Sequence, residues 1–374
     1  MADWTKPFTA GYSWWRVDRK SFRQHTNPAL DFDNTGIETA QVLNITKGTL
    51  QLNNNTATFE TGNVSCVGVP DVGTDLIRCY LDATWDDGTT EHVPLGTYNV
   101  SVPSRDVRGS FEECNATLDG RLIELQQDVF EEPVYMQGGY GIGWMTGMAL
   151  NRNITFDKPQ SYTAELVDTR TGLYVYGIGA SADDDGTVLS AFNDIATNAL
   201  NLRAANTDPY GRIQLRRPID YDGEPVWSFV EGDNATFLKN ATDERDTTGV
   251  CNVVVCVYES DSATVVGVAE DTDPDSPWSI ANYGRRKCAV YTYSEGASQE
   301  QADAKAARLL EENRSIVRRV TISHIYCPAR VGDIVEVSYP SAGIYGKFAV
   351  RTQDIEIGSA GCMTVSELRR FERA

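Results

Sequence analysis

Apolar and polar residues alternate along much of this chain, the period of a strand with one buried face. The clearest case is Leu76–Trp85. Ile77, Cys79, Leu81, Ala83 and Trp85 fall on one face, and Leu76, Arg78, Tyr80 and Asp82 on the other. Asp87-Gly88 then predicts a tight turn, and EHVPLGTYNVSV resumes the extended pattern. QVLNIT and GTLQLN are shorter runs cut by Gly and Asn. Short strands with frequent turns make residues 1–135 a barrel or a sandwich.

From 136 to 245 the pattern is mixed. GGYGIGWMTG reads as a flexible or close-packed loop, and TAELVD and LYVYGIG as two strands around Thr171-Gly172. A helix is predicted over about 187–202, where Val188, Phe192, Ile195, Ala199 and Leu202 form one stripe. Asp183, Asp184 and Asp185 precede it, where negative charge complements the helix dipole.

Beyond 246 the chain is β-rich again. CNVVVCVY is apolar on both faces and predicts a central, doubly covered strand, and Ala289–Tyr293 predicts another. A helix is expected over about 299–316, with Ser298 and Gln301 as a capping box and Ala302, Ala306, Leu309, Asn313 and Ile316 on one face. RRVTISHI, GDIVEVSYP and GKFAVRTQDIEI read as three strands. Within the last, Phe348 and Val350 share one parity and Ile355 and Ile357 the other, which predicts a β-bulge near Gln353. No residue-level repeat is present.

Length and charge narrow the function. The chain has 374 residues, 53 Asp and Glu against 33 Lys and Arg, and a net charge of −20. Such a surface disfavours stable binding to nucleic acid or to anionic membranes. No apolar run reaches the roughly 20 residues of a membrane span, and the N-terminus has no signal pattern. Cys66, Cys79, Cys114, Cys251, Cys256, Cys288, Cys327 and Cys362 are scattered, several within strand-like runs, and read as reduced thiols made in a cytoplasm. Cys251 and Cys256 are odd-spaced on one expected strand and should face opposite sides. Nine N-x-S/T sequons occur, but Asn313 lies in an expected helix, and a chain rich in Asn, Ser and Thr makes the tripeptide often.

No catalytic constellation emerges, and no catalytic, cofactor-binding or metal-binding residue is assigned. His25, His92 and His324 are too few and scattered for a metal site, and His324 reads as a satisfied, half-buried side chain on the face of Val320 and Ile322. GxSxG and HExxH are absent. Glycines 138, 139, 141 and 143 do not fit GxGxxG. Asp271, Asp273 and Asp275 lack the Gly and Glu of a calcium loop, where Ser276 and Asn282 stand instead, so a solvated acidic loop is expected.

The order of elements carries the inference instead. YGRRKCAVYTYSEG (283–296), the helix SQEQADAKAARLLEENRSIVRRV (298–320), TISHIYCPARVGDIVEVSYPSAGIYGKFAVRTQDIEI (321–357) and GCMTVSELRRF (361–371) together resemble the second tube-like barrel of the bacteriophage tail-hub family. That family comprises the baseplate hub of contractile tails and its siphophage tail-tip relatives. Upstream, NTDPYGRIQL after the helix 187–202 resembles the hub's middle domain, and GTLQLN, DLIRCYLDATWDDGT and PLGTYNVS its first barrel. The resemblance implies a β-rich α+β fold with two tube-like β-barrel domains, 1–135 and 246–374. They flank a mixed α/β middle domain, 136–245, of which 225–245 is an alternative completion of the first barrel.

The same resemblance implies a structural virion protein at the tail tip, assembled in the host cytoplasm and not an enzyme. It implies a homotrimer adapting a sixfold tube to a threefold tip and lining a DNA channel, without cofactors. The implied partners are further copies of itself, the tail tube or distal tail protein, the tape measure protein, and a tip or fibre protein below. DNA would transit the lumen without specific binding. The chain stops after the second barrel, so a cell-wall-degrading extension is not implied. Two readings compete. In a carbohydrate-binding tail-tip adhesin, Trp14, Trp15, Trp85, Trp144, Trp227 and Trp278 would offer stacking platforms. A glycan hydrolase would use two carboxylates that nothing singles out.

Overall fold

The structure is a computed structural model that describes residues 3–22, 35–42, 44–109, 111–158, 162, 165–168, 173–177, 186–259, 264–293, 298–313, 315–358 and 363–373. Seven strands come first: β1 (Phe8–Asp18), β2 (Ile37–Gln41), β3 (Ile45–Asn53), β4 (Glu60–Val67), β5 (Leu76–Trp85), β6 (Thr90–Arg108) and β7 (Phe111–Gly120). They lie in the order β2-β1-β5-β6-β7-β4-β3, every neighbour antiparallel. The β5–β6 connection turns at Gly88, whose φ of 83° is left-handed, as the Asp-Gly signal requires.

The middle section holds α1 (Ile123–Gln126), α2 (Gly141–Leu150) and α3 (Val188–Asp194). It also holds the antiparallel pairs β8 (Val134–Gln137) with β9 (Leu173–Tyr176) and β10 (Asn206–Thr207) with β11 (Ile213–Gln214). The strands that follow are β12 (Trp227–Val230), β13 (Phe237–Asp246), β14 (Val253–Glu259), β15 (Thr264–Glu270) and β16 (Cys288–Tyr293). After α4 (Ile280–Tyr283) and α5 (Gln299–Asn313), the chain ends with β17 (Ser315–Ile325), β18 (Ile334–Tyr339), β19 (Ile344–Ile357) and β20 (Met363–Arg373).

The fold is β-rich, as expected, and its two β-rich ends are fused into one 13-stranded sheet. The fusion runs through β19. Its first half pairs with β18, from Ile344 to Ala349, and its second half with β3, from Thr352 to Ile357. On its other side β20 follows along, and the register slips between Val350 and Thr352. The expected bulge therefore lies at Arg351, two residues before Gln353. Its cause is now visible: the parity of buried side chains changes where the strand leaves one lobe and enters the other. One continuous core joins both lobes and α2 and α3, including Leu50, Leu81, Phe192, Phe229 and Phe348.

Residues 246–374 do not form one sheet. β15-β14-β16 stand apart as a three-stranded sheet under α5, with their own core of Val254, Cys256, Tyr258, Ala302, Ala306, Leu309 and Leu310. The segment 225–245, considered for the first barrel, bonds elsewhere. β12 runs parallel to β18, and β13 is antiparallel to β17. Choice of strand partner depends on contacts remote in sequence, which alternation cannot encode.

Two further expectations are corrected, and a third is refined. GGYGIGWMTG is not a loop: Gly141–Leu150 is the helix α2, with Met145, Met148 and Ala149 buried. Among the described residues, TAELVD does not pair with LYVY. Tyr162 and Leu166 instead make helical i to i−4 bonds, and β9 pairs with β8. The helix expected at 187–202 is α3 continued by a π-helical turn, Ile195–Ala199. It starts at Thr187, whose side chain accepts from Ser190 N. Asp183–Asp185 and the Thr171-Gly172 turn lie outside the described residues.

α5 ends at Asn313, three residues early, because Ser315 already belongs to β17. Its capping box is reciprocal: Gln301 N donates to Ser298 Oγ at 3.2 Å, and Ser298 N donates to Gln301 Oε1 at 3.0 Å. Ser298→Ala should lower the local stability of α5 by about 1 kcal/mol. Hydrogen exchange should then show faster amide exchange in the first turn of α5 and no change in β5 or β6.

Candidate functional site

The strand β5 was expected to bury one face, and over Leu76–Leu81 it buries both. Arg78 is 1 % exposed. Its Nε donates to Thr97 Oγ1 at 2.8 Å, its Nη1 to Glu38 at 3.0 Å and its Nη2 to the Tyr210 carbonyl at 3.3 Å and to the Thr35 carbonyl. A polar face can be buried in this way only when its donors are met. The cover comes from β2 and from the loop between β10 and β11.

That loop, within the NTDPYGR motif, is a plug. Asp208 folds it, accepting from Tyr210 N and Arg212 N at 3.0 and 2.8 Å and from Arg212 Nε at 2.8 Å. Thr97 Oγ1 donates to the Pro209 carbonyl at 2.9 Å. Gly211, at φ +77°, sits where a Cβ would lie 2.6 Å from Arg121 Cδ. Arg121 is fully buried. It donates to both Glu124 carboxylate oxygens, at 3.1 and 3.2 Å, and to the Asn153 carbonyl at 2.9 Å, with Phe22 stacked against its guanidinium. Burial works against the Glu124 carboxylate, but Arg121 and Arg19 outweigh it and hold its pKa below the ordinary value.

A second joint ties the C-terminal lobe to the first. Arg330 donates to Glu60 Oε1 at 3.1 Å and to the Leu95 carbonyl at 3.1 Å. Glu60 is fully buried, and its other oxygen has no hydrogen-bond donor. Arg330 favours the ionised carboxylate, but full burial, helped by the nearby Asp208 charge, is the larger effect and raises its pKa to about 8. The nearby Thr207 hydroxyl also favours the ionised form, and burial outweighs it as well.

His324 is 1 % exposed rather than half-buried. Its Nδ1 lies 2.6 Å from the Ile325 carbonyl and its Nε2 2.8 Å from Ser366 Oγ, an arrangement that fits a neutral ring. His92 is exposed, stacks on Tyr80 at 3.8 Å and contacts Asp82, and His25 lies outside the described residues. Asp271 is not solvated. It is buried, accepts from Ser276 Oγ at 2.7 Å and organises its own turn. Among the described residues no group of three His, Cys, Asp or Glu side chains is placed to hold a metal, and no helix is long and apolar enough to cross a membrane. Cys66, Cys79, Cys114, Cys251, Cys256, Cys288 and Cys327 are free thiols, and Cys362 lies outside the described residues. Trp14 and Trp85 belong to the core, which removes them as stacking platforms.

One surface stands out by what it lacks. CNVVVCVY is central in its sheet but covered on one side only. On the side away from α5, Val268, Val255 and Val290 are direct cross-strand neighbours, flanked by Val266 beside Val257. Val266, Val268 and Val290 are 42 %, 47 % and 63 % exposed. Sequence reading missed the buried arginines, although Arg78 in an apolar run and Glu60 at the start of a strand were the available signals.

No family model matches the chain, and no curated protein matches it. Solved structures do. A tail protein from Neisseria meningitidis MC58 is 15 % identical with a TM-score of 0.60, covering 96 % of this chain and 97 % of that one. The 43 kDa tail protein of prophage MuSo2 from Shewanella oneidensis is 9 % identical with a TM-score of 0.61, covering 97 % and 100 %. The Francisella PdpA–VgrG complex in its half-lidded form is 7 % identical with a TM-score of 0.53, covering 97 % of this chain and 58 % of that one. The chain therefore has the fold of phage tail proteins along nearly its whole length.

Proposed function

We propose that this chain is a structural virion protein, the hub of a bacteriophage tail tip. The observation that carries the reading is end-to-end: the fold matches phage tail proteins over almost all of both chains. The two lobes fused through β19 support it further, since two tube-like domains per chain in a homotrimer give six similar units. Such a ring adapts a sixfold tube to a threefold tip. Of the division 1–135, 136–245 and 246–374, this arrangement keeps the first boundary and moves the second back to about 225, because β12 and β13 pair with β18 and β17. In it, β12, β13 and β17–β20 form the second lobe, and β14–β16 with α5 form a unit inserted into it.

The buried joints suit this role. Arg78, Arg121 and Arg330 lock the plug and the C-terminal lobe onto the first lobe, so that the subunit acts as one rigid block. The role needs no catalysis and no cofactor. The neighbours would be the tail tube or distal tail protein and the tape measure protein above, and a tip or fibre protein below. DNA would pass through the ring. A net charge of −20 favours a lumen wall of carboxylates, which repels phosphates within a Debye length of about 8 Å.

The open valine face is the surface we assign to contact between copies in the ring. A permanent ring contact buries typically more than about 2,000 Å² and has an apolar centre. The purified protein should have a mass near three times 41.2 kDa in light scattering. Val268→Asp with Val290→Asp should shift it to the monomer without loss of fold by circular dichroism. A monomeric parent protein, together with a particle image placing it off the DNA axis, would remove the hub reading. A variant that still trimerises would move the interface elsewhere.

A further inference from the structure

Within this acidic chain one cleft is lined by arginine. It has a volume of about 620 Å³ and lies between the 203–221 segment, α5, the middle of β19 and the second half of β20. Arg203, Arg351 and Arg369 line it, beside Tyr221 and Phe371, with Arg308 and Glu311 of α5 at its rim. We infer that this cleft receives a carboxylate-bearing segment of a neighbouring protein, held by Arg203, Arg351 and Arg369 and flanked by apolar side chains on Tyr221 and Phe371.

The first argument is the state of the three guanidinium groups. Among the described residues, Arg203 Nε and Nη1, Arg351 Nε and Arg369 Nε are buried without a hydrogen-bond acceptor. Buried donors on a charged group are normally satisfied. The nearby carboxylates leave these atoms unmet. Asp333 is engaged 3.3 Å from Arg216, and Glu367 is 3.6 Å from Arg369. Arg351 Nη2 donates to a neutral partner, the Asn55 side-chain oxygen, at 2.8 Å.

The second argument is mutual repulsion. Burial, then Arg216, pushes the Arg203 pKa down to about 10, and burial, then Arg369, lowers that of Arg351. The chain spends stability on holding like charges together. A cluster of that kind is relieved by an anion, and planar guanidinium groups match the two oxygens of a carboxylate. The location adds to this. Arg351 is the bulge residue at which β19 passes from one lobe to the other, so the bulge aims it out of the regular alternation.

The chemistry of the walls chooses between anions. Phe371 meets Tyr221 edge to face at 5.3 Å, an apolar surface that a free phosphate ion would leave unused. A nucleic acid brings a phosphate at every step, and a cleft of this size admits one or two while the rest face a surface of net charge −20. A peptide with one or two carboxylates between apolar residues uses both kinds of wall. This inference is independent of the ring, because it concerns a different surface and needs no particular oligomeric state.

Titration calorimetry on the full-length protein tests it with an acetylated hexapeptide alternating Glu and Phe. The controls are the same peptide with Gln for Glu, inorganic phosphate, and a hexathymidylate strand. The Glu peptide should bind, weaken as salt rises, and lose affinity by about tenfold or more in Arg351→Gln with Arg369→Gln. The Gln peptide should lose it similarly. The melting temperature of that variant, and of Arg203→Gln, should stay level or rise, because like charges have been removed. No peptide binding, unchanged binding in the variants, or equally strong binding of phosphate or hexathymidylate would overturn the inference. A sharp fall in melting temperature in both variants would also overturn it, since the arginines would then serve the fold.

Discussion

Replacing Gly267 with valine should release α5 from its sheet and melt the three-stranded unit while leaving the 13-stranded sheet folded. Gly267 faces α5 from the edge strand β15, opposite Cys256. A Cβ there would lie 2.2 Å from Ala302 C and O and 2.7 Å from Asp303 N. These are backbone atoms of a helix, so no side chain can swing aside. Overpacking ordinarily destabilises by about 1–3 kcal/mol, and a backbone clash at the helix covering this core should reach or exceed the upper end. The core under α5 is separate from the main one, which is why the loss should be local. Hydrogen exchange should show protection lost in α5 and β14–β16 and kept in β5, β6 and β20. Val107→Ala, 60 % exposed near the end of β6, should change stability by less than about 0.5 kcal/mol. If Gly267→Val unfolded the whole chain in one transition, the two cores would be one cooperative unit.

Stability should also fall as the pH rises from neutrality, by an amount set by Glu60. Its folded-state pKa, about 8, lies above its ordinary 4.5, so the folded chain holds a proton that the unfolded chain releases. The stabilisation from that proton is complete below 4.5 and is lost as pH rises through 8. His324 works in the opposite sense. Burial lowers its pKa from 6.5 to about 4, so its contribution is complete above 6.5 and is lost as pH falls through 4. Between 4.5 and 6.5 the two slopes cancel. Above 6.5 only Glu60 acts, and the net loss from there to pH 8 is about 2 kcal/mol at 1.36 kcal/mol per pH unit. Urea unfolding across this range measures it. Glu60→Gln keeps the shape and the acceptor for Arg330 but has no proton to lose, so the alkaline loss should disappear. A variant that keeps the full loss would place its origin in another group.

Much of this protein could be read without coordinates. The alternation of Leu76–Trp85, the Asp87-Gly88 turn, the capping box at Ser298 and the parity change inside GKFAVRTQDIEI all appear where they were expected, the last within two residues. Each is a local matter: a backbone period, a required φ, a pair of donors three residues apart. The stripe of 187–202 also formed a helix, although the π-helical turn at Ile195–Ala199 was not encoded in its period. The helix in GGYGIGWMTG was hidden because glycine carries no side chain to show a stripe, and only packing of Met145 and Met148 into the core reveals it.

What the sequence could not fix is which segments meet. Arg78 sits in an alternating strand and looks exposed until β2 and the 208–211 plug close over it. The segment 227–246 carries strand signals that would serve either lobe, and contacts with β17 and β18 about a hundred residues later in the chain decide the matter. Glu60, Arg330 and the arginine cleft are assembled from positions far apart, so no spacing in the chain announces them. Local periodicity is set by the backbone and one buried face, and so by sequence alone. Burial of a charge, its pKa and its partners are set by what the rest of the chain brings to it, and only the tertiary structure decided those.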